Sequence, residues 1–296
     1  MKTNSVSRTA QGAAAVRAIE THRPGEDRLF EDPFARGLLK PTYRLIVDVM
    51  RVRRVREPLL AMRERQFPGA IGNLLCRTRY IDDALHDALD KGLDQVVLLG
   101  AGFDSRAYRI PGIDRTHVFE VDHPATQAYK RSRLKRILDA PLSHVTFVPV
   151  NFDRQKLDGA MRETGFRAGV RTFIIWEGVT QYITAEAVDA TFRWVSETAA
   201  AGSRIVFTYI QKGILDGSFQ TKNAQRILSD LERLGEPWLF GLDPAELDRY
   251  LAQRGLDLIE QVGSSEYQDR YLKPLRRVLD IFEGELTVLA ELQRSL

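Results

Sequence analysis

Five short apolar or β-branched runs recur through the middle of the chain with helical or polar segments between them. This alternation limits the fold more than any other feature. The runs are Gln95–Leu99, Thr116–Val121, Val145–Val150, Thr172–Trp176 and Ser203–Tyr209. A strand that reads as a continuous apolar run is buried on both faces, which happens when helices cover both sides of a parallel sheet. The chain is therefore expected to be α/β, with a doubly wound and mostly parallel sheet. Leu256–Val262 and Glu285–Leu292 read as two closing strands or as helices.

The first ninety or so residues read as helices instead. Leu45, Ile46, Val49 and Met50 recur at helical spacing, and Asp82 and Asp83 read as opening a helix with Ile81, Leu85 and Leu89 on one face. Near the other end, Asp243, Pro244 and Glu246 have the form of a helix start closed by a capping box. No linker, repeat or low-complexity tract divides the chain.

Composition removes several classes. Hydrophobic residues at 44% and charged residues at 28% are ordinary globular values. With 43 basic against 40 acidic side chains the net charge is +3, too even a balance for a dedicated nucleic-acid binder. One cysteine, Cys76, excludes an internal disulfide and a cysteine-rich metal site and fits a reducing compartment. The longest apolar run, Val96–Phe103, falls far short of the roughly 18 residues that span a bilayer. Arg17 and Glu20 interrupt the alanine-rich start too soon for a signal peptide. The expectation is a soluble, cytoplasmic protein with no membrane partner.

The sharpest local motif is Gly100-Ala101-Gly102-Phe-Asp104-Ser-Arg106, directly after the first strand. Glycines there let the chain turn tightly and let a ligand approach the backbone. Asp122 follows at the end of the next strand, where a carboxylate can accept from both hydroxyls of an adenosine ribose. Together they point to a nucleoside-containing cofactor. A dinucleotide would call for a third glycine beneath its pyrophosphate, and none follows. S-adenosylmethionine carries no phosphate and needs only the turn and the carboxylate.

These residues resemble the leucine carboxyl methyltransferase family. The likeness runs from Gln95 to Ile110 and through Val118-Phe-Glu-Val-Asp-His-Pro124. It extends upstream to Glu31–Ala35 and Arg77-Thr-Arg-Tyr-Ile-Asp82, and downstream to Phe147–Asp153 and Phe173–Ile183. The resemblance implies a class I methyltransferase, Rossmann-like, with a seven-stranded sheet and a helical N-terminal cap. One domain is expected over residues 1–296: a cap to about 90, a cofactor-binding core over 91–210, and a substrate-side insertion with closing strands over 211–296.

It also implies roles residue by residue. Arg79 would grip the methionine carboxylate of S-adenosylmethionine, although a salt bridge to Asp82 or Asp83 competes for it. Gly100, Ala101 and Gly102 would line the cofactor and Asp122 would hold its ribose, with Glu120 either assisting or supporting the turn. Asn151 stands where family members place an aspartate for the adenine amino group, Phe152 would cover the adenine face, and Glu177 would meet the cofactor's ammonium. Asp104 and Arg106 are expected to pair and fix the loop.

Methyl transfer to a carboxylate needs no general base, and no histidine stands out as one; His123, the nearest to the motif, reads as structural. No metal site is expected. The Arg51–Arg65 stretch reads as a solvated helix face, as an electropositive mouth for an acidic acceptor or, least of all, as a nucleic-acid surface. The expected acceptor is a small-molecule metabolite methylated at a carboxylate, such as a polyketide acid of secondary metabolism, or else at a hydroxyl, for which a base would help. A protein C-terminus and a nicotinamide-dependent oxidoreductase are the alternatives.

Overall fold

The computed structural model describes residues 7–150, 157–219 and 224–293. Five helices come first: α1 (Arg8–Thr21), α2 (Ala35–Leu38), α3 (Pro41–Val49), α4 (Arg53–Gln66) and α5 (Ala70–Asp90). Strands and helices then alternate as β1 (Gln95–Leu99), α6 (Arg106–Arg109), β2 (His117–Asp122), α7 (Pro124–Leu134), β3 (Val145–Pro149), α8 (Leu157–Arg162), β4 (Thr172–Trp176), α9 (Ala185–Thr198) and β5 (Arg204–Ile210). Last come α10 (Lys212–Asp216), α11 (Ala224–Leu234), α12 (Leu247–Ala252), β6 (Leu256–Val262), α13 (Ser264–Tyr267) and β7 (Glu285–Leu292). Both ambiguous C-terminal runs are strands.

The sheet has seven strands in the order β3-β2-β1-β4-β5-β7-β6, parallel throughout except for β7, which runs antiparallel to both neighbours. Along β1, Val96 and Leu98 pack with α5 while Val97 and Leu99 face the opposite layer of α8, α9 and α12. All five β1 residues are buried, which explains its unbroken apolar run. Strand order reverses between β1 and β4. In open α/β sheets that switch point opens a crevice at the carboxyl ends of the strands, and here Gly100 and Glu177 stand on its two sides.

The cap has its own core, in which Ala14, Ala15 and Ala18 of α1 pack with Leu38, Leu39, Val47 and Met50. Phe103 of the glycine turn belongs to the same cluster, so the cap is seated on the turn. Two local expectations are corrected. Asp82 and Asp83 lie in the middle of α5, because Asp82 is needed there to bind Arg106 and Arg109. Asp243 does cap its turn, accepting from the Ala245 N–H at 2.9 Å, but Glu246 turns outward to Arg249 and closes no box. Among the described residues no helix is long and apolar enough to cross a membrane.

Candidate active site

The turn after β1 holds Gly100 at φ +68° and Gly102 at φ +43°, left-handed conformations that glycine adopts without a Cβ penalty. The Ala101 N–H donates to the Val121 carbonyl at 2.9 Å and carries the β1–β2 ladder into the turn. A Cβ on Gly100 would lie 2.4 Å from Cγ2 of Val179. Gly100→Ala therefore combines a steric clash with an unfavourable φ. A loss of about 2 kcal/mol is expected, readable as a lower midpoint in denaturant; an unchanged midpoint would mean that the turn relaxes freely.

Asp122, half-buried at the end of β2, accepts from the backbone N–H groups of Gly102 and His123. Burial pushes its carboxyl above the usual range, and those two N–H bonds only partly offset this. Its remaining acceptor capacity is available to a ligand. His123 caps α7 through Nδ1, which accepts from the Ala125 N–H at 3.3 Å. The first turn of α1 closes over the loop: a Cβ on Gly102 would sit 3.4 Å from Cβ of Ala10. Thr9 in turn donates to Glu236, so the segment ahead of Trp238 joins the roof.

Beneath the turn runs a connected chain of buried charge. Arg17 of α1 binds Asp32 at 2.9 Å, and Asp32 accepts from Ser105 Oγ at 2.6 Å. Arg109 reaches Asp82 at 2.7 Å, and Arg106 binds Asp82 at 2.7 Å, Asp104 at 2.5 Å and Glu177 at 2.7 Å. Arg77 completes it, donating from Nε to Glu177 at 2.8 Å and from Nη1 to Glu285, which also accepts from Asn73 at 2.9 Å. Burial alone would raise Glu177, but Arg106 and Arg77 outweigh it and hold the carboxyl below its ordinary value. Asp104 is held well below the carboxylate range in the same way, chiefly by Arg106. Four guanidinium groups meet five carboxylates in this network, so it carries an excess of negative charge.

Gly100, Ala101, Gly102, Asp122 and Glu177 thus come together at the crevice. Arg79 does not. It binds Asp83 one turn along α5 at 2.8 Å and the Leu29 carbonyl at 2.8 Å, with 43% of its side chain exposed. Residues two positions apart on a helix point about 200° away from one another, so the inward arginine of the Arg-Thr-Arg block is Arg77, 11% exposed. Its Nη2 approaches Gly178 and has no hydrogen-bond partner among the described residues.

Glu120 is also placed elsewhere. Its carboxylate is enclosed by Lys130 at 2.7 Å and by the Tyr108 hydroxyl at 2.5 Å, so it anchors α7 and α6 to β2. Asn151 and Phe152 lie outside the described residues. Arg51 is bonded to His22, twelve residues along α1 from Ala10, so the start of the arginine-rich stretch stands at the end of the cap away from Gly102. Sequence reasoning missed Arg77, Asp32, Asp82, Arg109 and Glu285. Asp32, Arg77 and Asp82 sit inside the family blocks, which signalled importance without a role.

A family model described as leucine carboxyl methyltransferase matches residues 10–196. The chain belongs to the leucine carboxyl methyltransferase family. A Streptomyces coelicolor relative is 33% identical over 79% of this chain and 81% of its own length. A Mycobacterium ulcerans relative is 31% identical over 92% of this chain and 90% of its own. Both carry the provisional name S-adenosyl-L-methionine-dependent methyltransferase. The crystal structure of a DUF574 family protein from Streptomyces avermitilis superposes with TM-score 0.59 at 13% identity, covering 94% of this chain and 97% of the other. Family membership makes this chain an S-adenosylmethionine-dependent methyltransferase on the class I fold, and the oxidoreductase alternative falls away.

The residues present fit that cofactor. Asp122 keeps acceptor capacity for ribose hydroxyls, Arg77 keeps a free Nη2 for a carboxylate, and the excess negative charge complements a sulfonium. A pyrophosphate would meet that same charge as repulsion.

Proposed function

We propose that the enzyme esterifies a carboxylate of a small acidic metabolite, with Gly100, Gly102, Asp122 and Arg77 holding the cofactor. The methyl group comes from the sulfonium of S-adenosylmethionine. Asp122 fixes the ribose, the turn's backbone lies along the adenosine, and Arg77 takes the methionine carboxylate through Nη2. Glu177 and Glu285 hold the Arg77 guanidinium in place from its other side. Glu177 then orients Arg77 rather than acting as the principal partner of the ammonium.

The observation that carries the carboxylate reading is the character of the groups at the crevice. Glu177 and Asp104 are committed to arginines and held below the usual carboxylate range, too weakly basic to take a proton from a hydroxyl. Tyr182, whose neighbours include Trp238, Glu236, Glu285 and Arg77, is pushed above its ordinary value by burial and stays a phenol. His117 bonds Thr146 at 2.8 Å, His144 bonds the Ala107 carbonyl at 3.0 Å and His123 caps α7. A nucleophile that arrives ionised needs none of these. Alignment and desolvation then supply the catalysis. The partly buried Trp238, Phe282 and Phe219 would offer the acceptor an apolar wall.

The pH dependence follows from these shifts. Depressed carboxyls stay ionised above their low values and a raised phenol stays protonated below its high one. Neither changes state near neutrality, so kcat at saturating cofactor is expected to stay level between about pH 6 and about pH 9, and the raised Asp122 carboxyl bears on cofactor affinity instead. A hydroxyl acceptor deprotonated by the enzyme would give a rising limb instead. The product with an acidic metabolite should gain one methyl and release methanol on mild base treatment, as an ester does. A base-stable methyl ether would refute the carboxylate assignment, and esterified peptide C-termini in place of metabolites would shift it to protein acceptors.

A further inference from the structure

Between the last turn of α1 and the first turn of α4 lies a surface cavity of about 410 Å³, with Arg23, Arg51, Arg53 and Arg56 in its wall and Asp27 and Glu57 as its acids. Arg56 is the informative member. Its side chain is only 5% exposed, yet its one hydrogen bond among the described residues runs from Nε to the half-exposed Glu57 at 3.3 Å. Its two Nη groups have no hydrogen-bond partner among the described residues, and Arg56 lines the cavity.

The other cations here are also weakly matched. Arg23 reaches Glu20 at 3.3 Å and Glu57 at 3.9 Å, and Glu20 is already bound to Arg277. Arg51 donates to Nε2 of His22 at 3.3 Å and stands 3.8 Å from Asp48. Asp48 is itself gripped by Arg36 through two bonds of 2.6 Å. Arg53 has no ion-pair partner among the described residues. The contrast with the 2.5–2.8 Å bonds around Arg106 is plain. Burial and then neighbouring Arg51 push His22 below its ordinary value, and burial and then Arg277 do the same to Arg23.

We propose that this cavity is an anion site, separate from the methyl-transfer crevice, that takes a phosphate or phosphate-ester group. The four arginines exceed the two acids by two charges, which suits a dianion of about −1.5 to −2 better than a carboxylate. The planar guanidinium fork matches its oxygens. Ala10 touches the glycine turn from the opposite end of the helix that carries His22, about 18 Å of helix away. Val49 and Val52, 46% and 56% exposed, lie beside Arg51 and Arg53 and give the rim an apolar margin. The phosphate can therefore come from a free metabolite or from a lipid headgroup.

The test uses the full chain and two probes. In calorimetry, inorganic phosphate is expected to bind saturably at one site. The double variant Arg51→Gln/Arg53→Gln, which alters exposed residues, should weaken binding at least about tenfold while leaving S-adenosylhomocysteine affinity unchanged. Arg56→Lys, which keeps the charge but loses the fork, should weaken phosphate as well. Sedimentation with phosphatidylcholine vesicles, with and without phosphatidic acid, separates the sources. Pelleting only with phosphatidic acid, lost in the double variant, assigns a headgroup, and phosphate binding without pelleting assigns a free ligand. No saturable binding by about 10 mM phosphate, or equal binding by the double variant, overturns the proposal.

Discussion

Replacing Asp122 with alanine is expected to weaken S-adenosylhomocysteine binding by at least about 100-fold. Hydrogen bonds to an ionised group are worth about 1.5–3 kcal/mol each, and the ribose would lose two of them. The same carboxylate also accepts the Gly102 N–H, so the turn loses an anchor together with the ligand. Asp122→Asn keeps an oxygen for one of these tasks but not the charge, and a loss nearer tenfold is expected. Calorimetric titration reads both, with a thermal melt to show that the variants are folded. An alanine variant that binds as tightly as the parent would remove Asp122 from the site.

The second large effect separates the two arginines of the Arg-Thr-Arg block. Arg77→Met leaves Glu285 buried without its cation and Glu177 with Arg106 alone, and breaking one side of a buried pair costs about 3–5 kcal/mol. In a chain of this size that lowers Tm by roughly 10 °C, and methyl transfer should be lost. Arg77→Lys restores a charge but cannot bridge two carboxylates and still present a donor to the cofactor, so stability should recover further than affinity. Arg79→Met breaks an exposed pair one helical turn long, worth less than about 1 kcal/mol. Unchanged cofactor affinity is expected for it. Weakened affinity in the Arg79 variant with none in the Arg77 variant would reverse the assignment.

That reversal shows where sequence reading reaches its limit. β1 and β4 are legible because each is buried on both faces and apolar after its first residue, and the glycine turn is legible because its glycines directly follow such a strand. β6 is ambiguous for a physical reason. It is an edge strand with a bulge between Leu258 and Glu260, which breaks the alternation that would mark it as a strand. Arg77 and Arg79 are the same residue type two positions apart, and only their partners distinguish them. Those partners, Glu177 and Glu285, lie 100 and 208 residues further along the chain. Glu285 reads as one more residue of a closing strand until its register opposite Ile210 brings it to the crevice. Asp82 misleads in the opposite sense: an acid ahead of an apolar stripe resembles a helix start, yet it sits mid-helix because Arg106 and Arg109 come to meet it.

The buried network also ties the cap to the sheet by ion pairs. Arg17 and Asp32 belong to the cap, Arg106 and Arg109 to α6, and Glu285 to the last strand, so the chain of ion pairs runs from the cap through the glycine turn to the far strand. Its excess of negative charge is the feature that most directly distinguishes a sulfonium cofactor from a dinucleotide. Calorimetric titration with S-adenosylhomocysteine, run beside NAD, therefore tests the central claim most directly. One-to-one binding with a dissociation constant on the order of micromolar is expected for the thioether, with no heat from NAD. Binding of NAD with none of S-adenosylhomocysteine would contradict the assignment.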